Sequence, residues 1–67
     1  MKVKQAFQWT RTCSAIPGPI NVPAGAPVEV RDGVYWVKPD HFFSDLIVYH
    51  DAVHYGCRVQ PDNVDPS

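Results

Sequence analysis

The stretch "VEVRDGVYWV", residues 28–37, decides how the chain is read. Two runs rich in β-branched and aromatic residues flank Asp32-Gly33, a pair that accepts the positive φ angles of a type I′ turn, whose twist matches the adjoining strands. A two-residue loop sets the register, so Arg31 faces Val34, Val30 faces Tyr35, Glu29 faces Trp36 and Val28 faces Val37. Alternation along each strand puts Val28, Val30, Tyr35 and Val37 on one face, the expected core side. Glu29, Arg31, Val34 and Trp36 share the other. The expectation is a tight hairpin that carries a tryptophan on its outer, charged face.

Upstream, "VKQAFQW" (3–9) alternates Val3, Phe7 and Trp9 on one side with Lys4, Ala6 and Gln8 on the other, the pattern of a half-buried first strand in which Gln5 is the exception. Residues 10–27, "TRTCSAIPGPINVPAGAP", carry four prolines and two glycines. Proline removes a ladder donor and fixes φ, so this segment is expected as an ordered, extended loop rather than a helix or central strand. Its "VPAG" step reads as a tight turn with Pro23 at the first central position.

Downstream, "PDHFFSDLIVYHDAVHYG" (39–56) is ambiguous. Phe42, Phe43, Leu46, Ile47, His50 and Val53 recur at helical spacing behind a possible Asp40 N-cap, whereas "LIVY" has strong β character. The favoured reading is a helical turn near 40–45, a strand over 46–49, a second helical turn through 50–55 ending at Gly56, and a last strand "CRVQ" over 57–60. Cys57 and Val59 would then point inward, with Arg58 and Gln60 outward. The expected fold is thus mainly β, a small, partly open barrel of about five strands with short helical turns. The alternative is an α+β fold with a helix at about 40–50. Residues 1–60 form one domain, and the "PDNVDPS" tail, 61–67, is expected to fray.

That order of elements, a first strand, a long loop, a hairpin, a fourth strand, a helical turn and a fifth strand over about residues 2–60, resembles the SH3-like small barrel. In SH3 domains a long loop and an exposed tryptophan on a central strand form the ligand groove, and Tyr35-Trp36 stands in a comparable place. The acidic loop cluster of SH3 domains has no counterpart here. The resemblance therefore implies a barrel and a groove rather than a preference for proline-rich peptides. "VPAGAPVEVRDGVYWVKP" followed by "HDAVHYGCRV" is also similar to small proteins encoded by phages and prophages, which implies a bacterial or phage cytoplasmic setting and no particular activity.

Composition narrows the function classes. A 67-residue chain with 45% hydrophobic and 19% charged residues has a globular balance, but it is too short for elaborate catalytic machinery. Its formal net charge of -1 gives no electrostatic footprint for nucleic acid, for which Lys2 and Lys4 offer only a small patch. No secretory apolar run follows "MKVK", and none approaches the ~20 residues of a membrane helix. The expectation is a cytoplasmic, non-enzymatic protein without a cofactor or membrane partner. A reducing cytoplasm would also leave Cys13 and Cys57 unbridged.

"HDAVHYGC", residues 50–57, gathers the chemically able side chains. On a helix His50 and His54 share a face, and Cys57 follows three residues later, a donor set that zinc accepts, with His41, Asp51 or Cys13 as a fourth ligand. A small zinc-stabilised domain built on His50, His54 and Cys57 is the alternative function. The echo of His-Glu-x-x-His places aspartate where a metallopeptidase needs the longer glutamate, and no cleft surrounds it. A Cys57 nucleophile would need an exposed, electropositive setting. The favoured reading is a structured corner in which Asp51 accepts backbone N–H groups and Gly56 adopts a left-handed conformation.

Trp36 carries the leading functional expectation. It is either covered by the 10–27 loop or exposed as a binding anchor beside Glu29, Arg31 and Phe42, forming a patch for a protein or peptide partner or for a second copy of the chain.

Overall fold

A computed structural model describes residues 1–11 and 18–67. Among these residues the strands are β1 (Lys2–Val3), β2 (Phe7–Arg11), β3 (Gly18–Val22), β4 (Val28–Arg31), β5 (Val34–Val37), β6 (Arg58–Val59) and β7 (Val64–Asp65). One α-helix, α1 (Leu46–His54), and two 3-10 turns, Pro39–Phe42 and Pro61–Asn63, complete them. With 41% strand and 26% helix the chain is mainly β. The strands form three small antiparallel sheets, β1-β7, β2-β3 and β4-β5-β6, and none of these closes on itself.

The β4–β5 hairpin has the register that its turn dictates: Arg31 opposite Val34, Val30 opposite Tyr35, Glu29 opposite Trp36 and Val28 opposite Val37. Asp32 and Gly33 take φ angles of 54° and 75°, the left-handed pair a type I′ turn requires. Val28 and Val37 are buried, whereas Val30, nearer the hairpin tip on the edge strand, is 47% exposed. Strand β6 joins on the far side of β5, with Trp36 opposite Arg58 and Tyr35 opposite Val59. Cys57 and Val59 point inward and Arg58 and Gln60 outward, as the alternation implies.

Three expectations need correction around this hairpin. The first strand is broken: β1 and β2 are separate, with a bend at Lys4-Gln5 where the apolar alternation fails. The proline-rich segment contributes β3, which pairs with β2 from Phe7 opposite Val22 to Arg11 opposite Gly18. Pro19 is tolerated because β3 has only one strand neighbour and needs no donor on its other side. In the following turn Pro23 is the first residue rather than the first central one. Its carbonyl accepts from the Ala26 N–H at 3.3 Å, and Gly25 supplies φ 90°.

The C-terminal residues are part of the fold rather than frayed. Val64 is buried opposite Val3, the Lys4 N–H donates to the Asn63 carbonyl at 2.8 Å, and the Asn63 side chain bonds the Gln5 backbone in both directions. The N-terminal strand is thereby clamped between β7 and the turn before β4, since the Val3 N–H donates to Ala26 and the Gly25 N–H to Val3.

The largest departure is at 46–49, where a helix replaces the expected strand. Asp45 rather than Asp40 caps it, accepting from the Ile47 and Val48 N–H groups at 3.1 and 3.3 Å. A capped start satisfies two orphan donors, and the helix continues through His54, so the β character of "LIVY" yields to its context. This matches the α+β alternative more nearly than the barrel in this segment. The core is assembled from small aliphatic side chains: Val3, Val22, Ala26, Val28, Val37, Val48, Ala52, Val59 and Val64, with Cys57 and a single buried aromatic, Phe42.

Candidate functional site: a tryptophan-floored groove beside an apolar helix face

Helix α1 buries a narrow stripe of Val48, Asp51 and Ala52. Asp51 lies on that stripe because the Arg11 guanidinium meets it: Arg11 Nη1 donates to Asp51 Oδ2 at 2.8 Å, with both side chains more than nine-tenths buried, and Arg11 Nε reaches the Gly18 carbonyl. A carboxylate and a guanidinium out of water must stay together, so this pair fixes which side of α1 faces inward. The consequence is that the stripe with helical spacing in the sequence points outward. Leu46, Ile47 and Val53 are 69%, 43% and 48% exposed, and Phe43 just before the helix is 65% exposed. These apolar side chains are collected on one exposed face of α1.

At its C-terminal end α1 meets the outer face of the hairpin. Gly56 ends the helix with φ 84°, and the Trp36 ring lies so close that a Cβ at residue 56 would stand 2.4 Å from its Cζ3 and 2.6 Å from its Cε3. Glycine is required there twice, for its backbone angle and for the approach of the indole. The Trp36 ring also carries the Arg31 guanidinium, 5.3 Å from the ring centroid, and Arg31 in turn lies 3.4 Å from Glu29. Trp36 is thus half-buried, packed against Gly56 just beyond the end of α1. A groove of about 260 Å³ opens beside it, lined by Arg31, Asp32, Val34, Trp36, Val53, His54 and Tyr55.

The structure brings Trp36, Glu29 and Arg31 together on the hairpin's outer face. Phe42 does not join them: it is buried in the core, 5.4 Å from the Trp9 ring centroid. Val53, His54, Tyr55 and Gly56 complete the groove, and sequence reasoning missed them because their contribution depends on where α1 is docked. The one available signal was Gly56, a helix-ending glycine.

The donor cluster of "HDAVHYGC" is split by the same docking. His50 and His54 are exposed together, their ring centroids 4.1 Å apart, while Asp51 is held by Arg11 and Cys57 is fully buried. Among the described residues no three of His, Cys, Asp and Glu come together as a metal site, so the His50, His54, Cys57 set does not assemble within one chain. Burial pushes the Cys57 thiol up to about 12. A protonated thiol out of solvent lacks the thiolate character and exposure of a reactive cysteine. Cys13 lies outside the described residues. Tyr55 is 58% exposed at the groove edge.

Lys2 and Lys4 flank an acidic neighbour. Asp65 pairs opposite Lys2, and its carboxyl is held below the usual range by the Ser67 hydroxyl and backbone N–H, with the two lysines adding attraction. Among the described residues no helix is long and apolar enough to cross a membrane. No family model, curated protein or solved structure matches the chain.

Proposed function

We propose that the chain is a small protein-interaction module that acts by binding rather than by catalysis. The groove floored by Trp36 is its contact site. The observation that carries this reading is the packed indole: the Trp36 ring lies against the Gly56 backbone and carries the Arg31 guanidinium, so little side-chain freedom is lost when a partner docks. Tryptophan and arginine are the residue types that dominate binding energy at interfaces, and Val53 and Tyr55 extend the apolar wall. The volume suits one large side chain of a partner, with Arg31 placed to accept a neighbouring carboxylate. The ligand is thus a peptide segment with an aromatic or aliphatic anchor next to an acidic residue.

The test is selection of displayed random peptides on the wild-type protein with counter-selection on Arg31→Glu. Enriched peptides should combine an apolar anchor with an acidic neighbour and shift the emission of Trp36 in a Trp9→Phe background. Peptides that bind both proteins equally, or that leave the Trp36 emission unmoved, would overturn the assignment.

A further inference from the structure

The outward face of α1 holds a second feature, which shares only His54 with the groove. His50 and His54 are one helical turn apart, both exposed, with rings 4.1 Å between centroids and tilted by 36°. Histidines at i and i+4 are a chelating pair, because small rotations of two stacked rings aim one nitrogen of each at a common ion about 2.0–2.1 Å away. Imidazole suits zinc, copper and nickel. The pair is also incomplete: zinc takes four ligands in a tetrahedral arrangement, and within this chain no other described donor reaches these two.

We propose that His50 and His54 form half of a zinc-type site whose other half is the same pair on a second copy of this chain. A twofold axis through the ion makes two identical pairs into four nitrogen ligands, and an isologous contact of this kind needs only one surface patch. The residues around the pair suit that contact. Leu46 and Ile47 lie one turn before His50, and Val53 lies between His50 and His54 along the chain, all on the exposed side of α1. Two such faces laid together cover the apolar stripe that the fold leaves in water.

The metal is needed as well as the apolar contact. Helix α1 has nine residues and so is about 14 Å long, and a face of that length falls short of the ~800 Å² per partner of a standard stable interface. The chain is therefore monomeric without the ion and dimeric with it. This inference rests on the side chains of α1, of which Val53 and His54 also line the Trp36 groove.

The experiment uses untagged full-length protein in sedimentation velocity and native mass spectrometry, with a chelator or with half an equivalent of zinc chloride. The expected result is a 7.5 kDa monomer with chelator and a dimer carrying one zinc per two chains with the metal. His50→Ala and His54→Ala should each weaken dimerisation at least tenfold while leaving the far-UV circular dichroism and melting temperature of the metal-free monomer unchanged. Arg31→Glu, in the groove, should dimerise as wild type does. The proposal is overturned by a protein that stays monomeric with zinc, by zinc bound one to each monomer, by a dimer that persists in chelator, or by a double histidine variant that still dimerises with the metal.

Discussion

Replacing Gly56 by alanine tests how Trp36 is held. The substitution adds one methyl group at a backbone with φ 84°, and that methyl would lie 2.4 Å from Trp36 Cζ3. Two effects add. A left-handed conformation costs a residue with a Cβ about 1–2 kcal/mol. The indole is a rigid ring and moves only by leaving its place, which forfeits packing of about 1–3 kcal/mol. The sum, about 2–5 kcal/mol, is a large part of the ~3–10 kcal/mol that a domain of this length has in reserve. The structure contains its own controls. Gly25 and Gly33 also have positive φ, 90° and 75°, but a Cβ at either meets nothing within 4 Å, so Gly25→Ala and Gly33→Ala should show the backbone effect alone. Urea unfolding followed by far-UV circular dichroism gives each value. In a Trp36→Val background, which removes the obstructing ring edge, Gly56→Ala should fall to the level of the two controls, a coupling of at least ~1 kcal/mol. Equal losses at residues 25, 33 and 56, or a Gly56→Ala loss unchanged by Trp36→Val, would refute the reasoning.

Two further outcomes follow from the buried polar groups. Asp51→Ala strands the Arg11 guanidinium in the interior and should lower stability by about 3–5 kcal/mol or unfold the chain, whereas the joint replacement Arg11→Met with Asp51→Leu should recover most of that loss; equilibrium unfolding in urea decides, and a double variant no better than the single one would count against the pair. For Cys57, the unfolded chain releases the thiol proton above about 9 while the folded chain keeps it to about 12, so the unfolded state binds fewer protons and stability falls as pH rises through that window, by up to about 1.4 kcal/mol per pH unit. Stability curves of wild type and Cys57→Ala should therefore diverge between pH 9 and 12, and parallel curves would contradict the burial of the thiol.

Local chemistry made the hairpin legible from the sequence alone. Asp32-Gly33 leaves one turn type, the turn leaves one register, and the register places Trp36 beside Glu29 and Arg31 whatever the rest of the chain does. The inward Cys57 and Val59 and the left-handed Gly56 were legible for the same reason, since each follows from alternation or from a single residue's steric freedom. Elsewhere the local signal misled. Proline argued against a strand at residues 18–22, but an edge strand needs no donor on its open side, and only the presence of β2 made one there. A tail with two prolines and two aspartates looked frayed, yet Val64 and Asn63 find partners in Val3, Lys4 and Gln5 some sixty positions away.

Helix α1 draws the boundary most sharply. Phe42, Phe43, Leu46, Ile47, His50 and Val53 recur at helical spacing, the pattern a helix commonly turns toward the core. Only Phe42 of these is buried. The tertiary structure turned the helix the other way, since a buried Arg11 must have its carboxylate and Asp51 is that carboxylate, forty positions along the chain. The sequence by itself determined the hairpin, its register and the tryptophan on its outer face, all interactions between near neighbours. Which side of α1 faces water, and hence the groove beside Trp36 and the exposed histidine pair, was decided only in three dimensions, because the partner of Asp51 on the inward side lies forty positions away at Arg11.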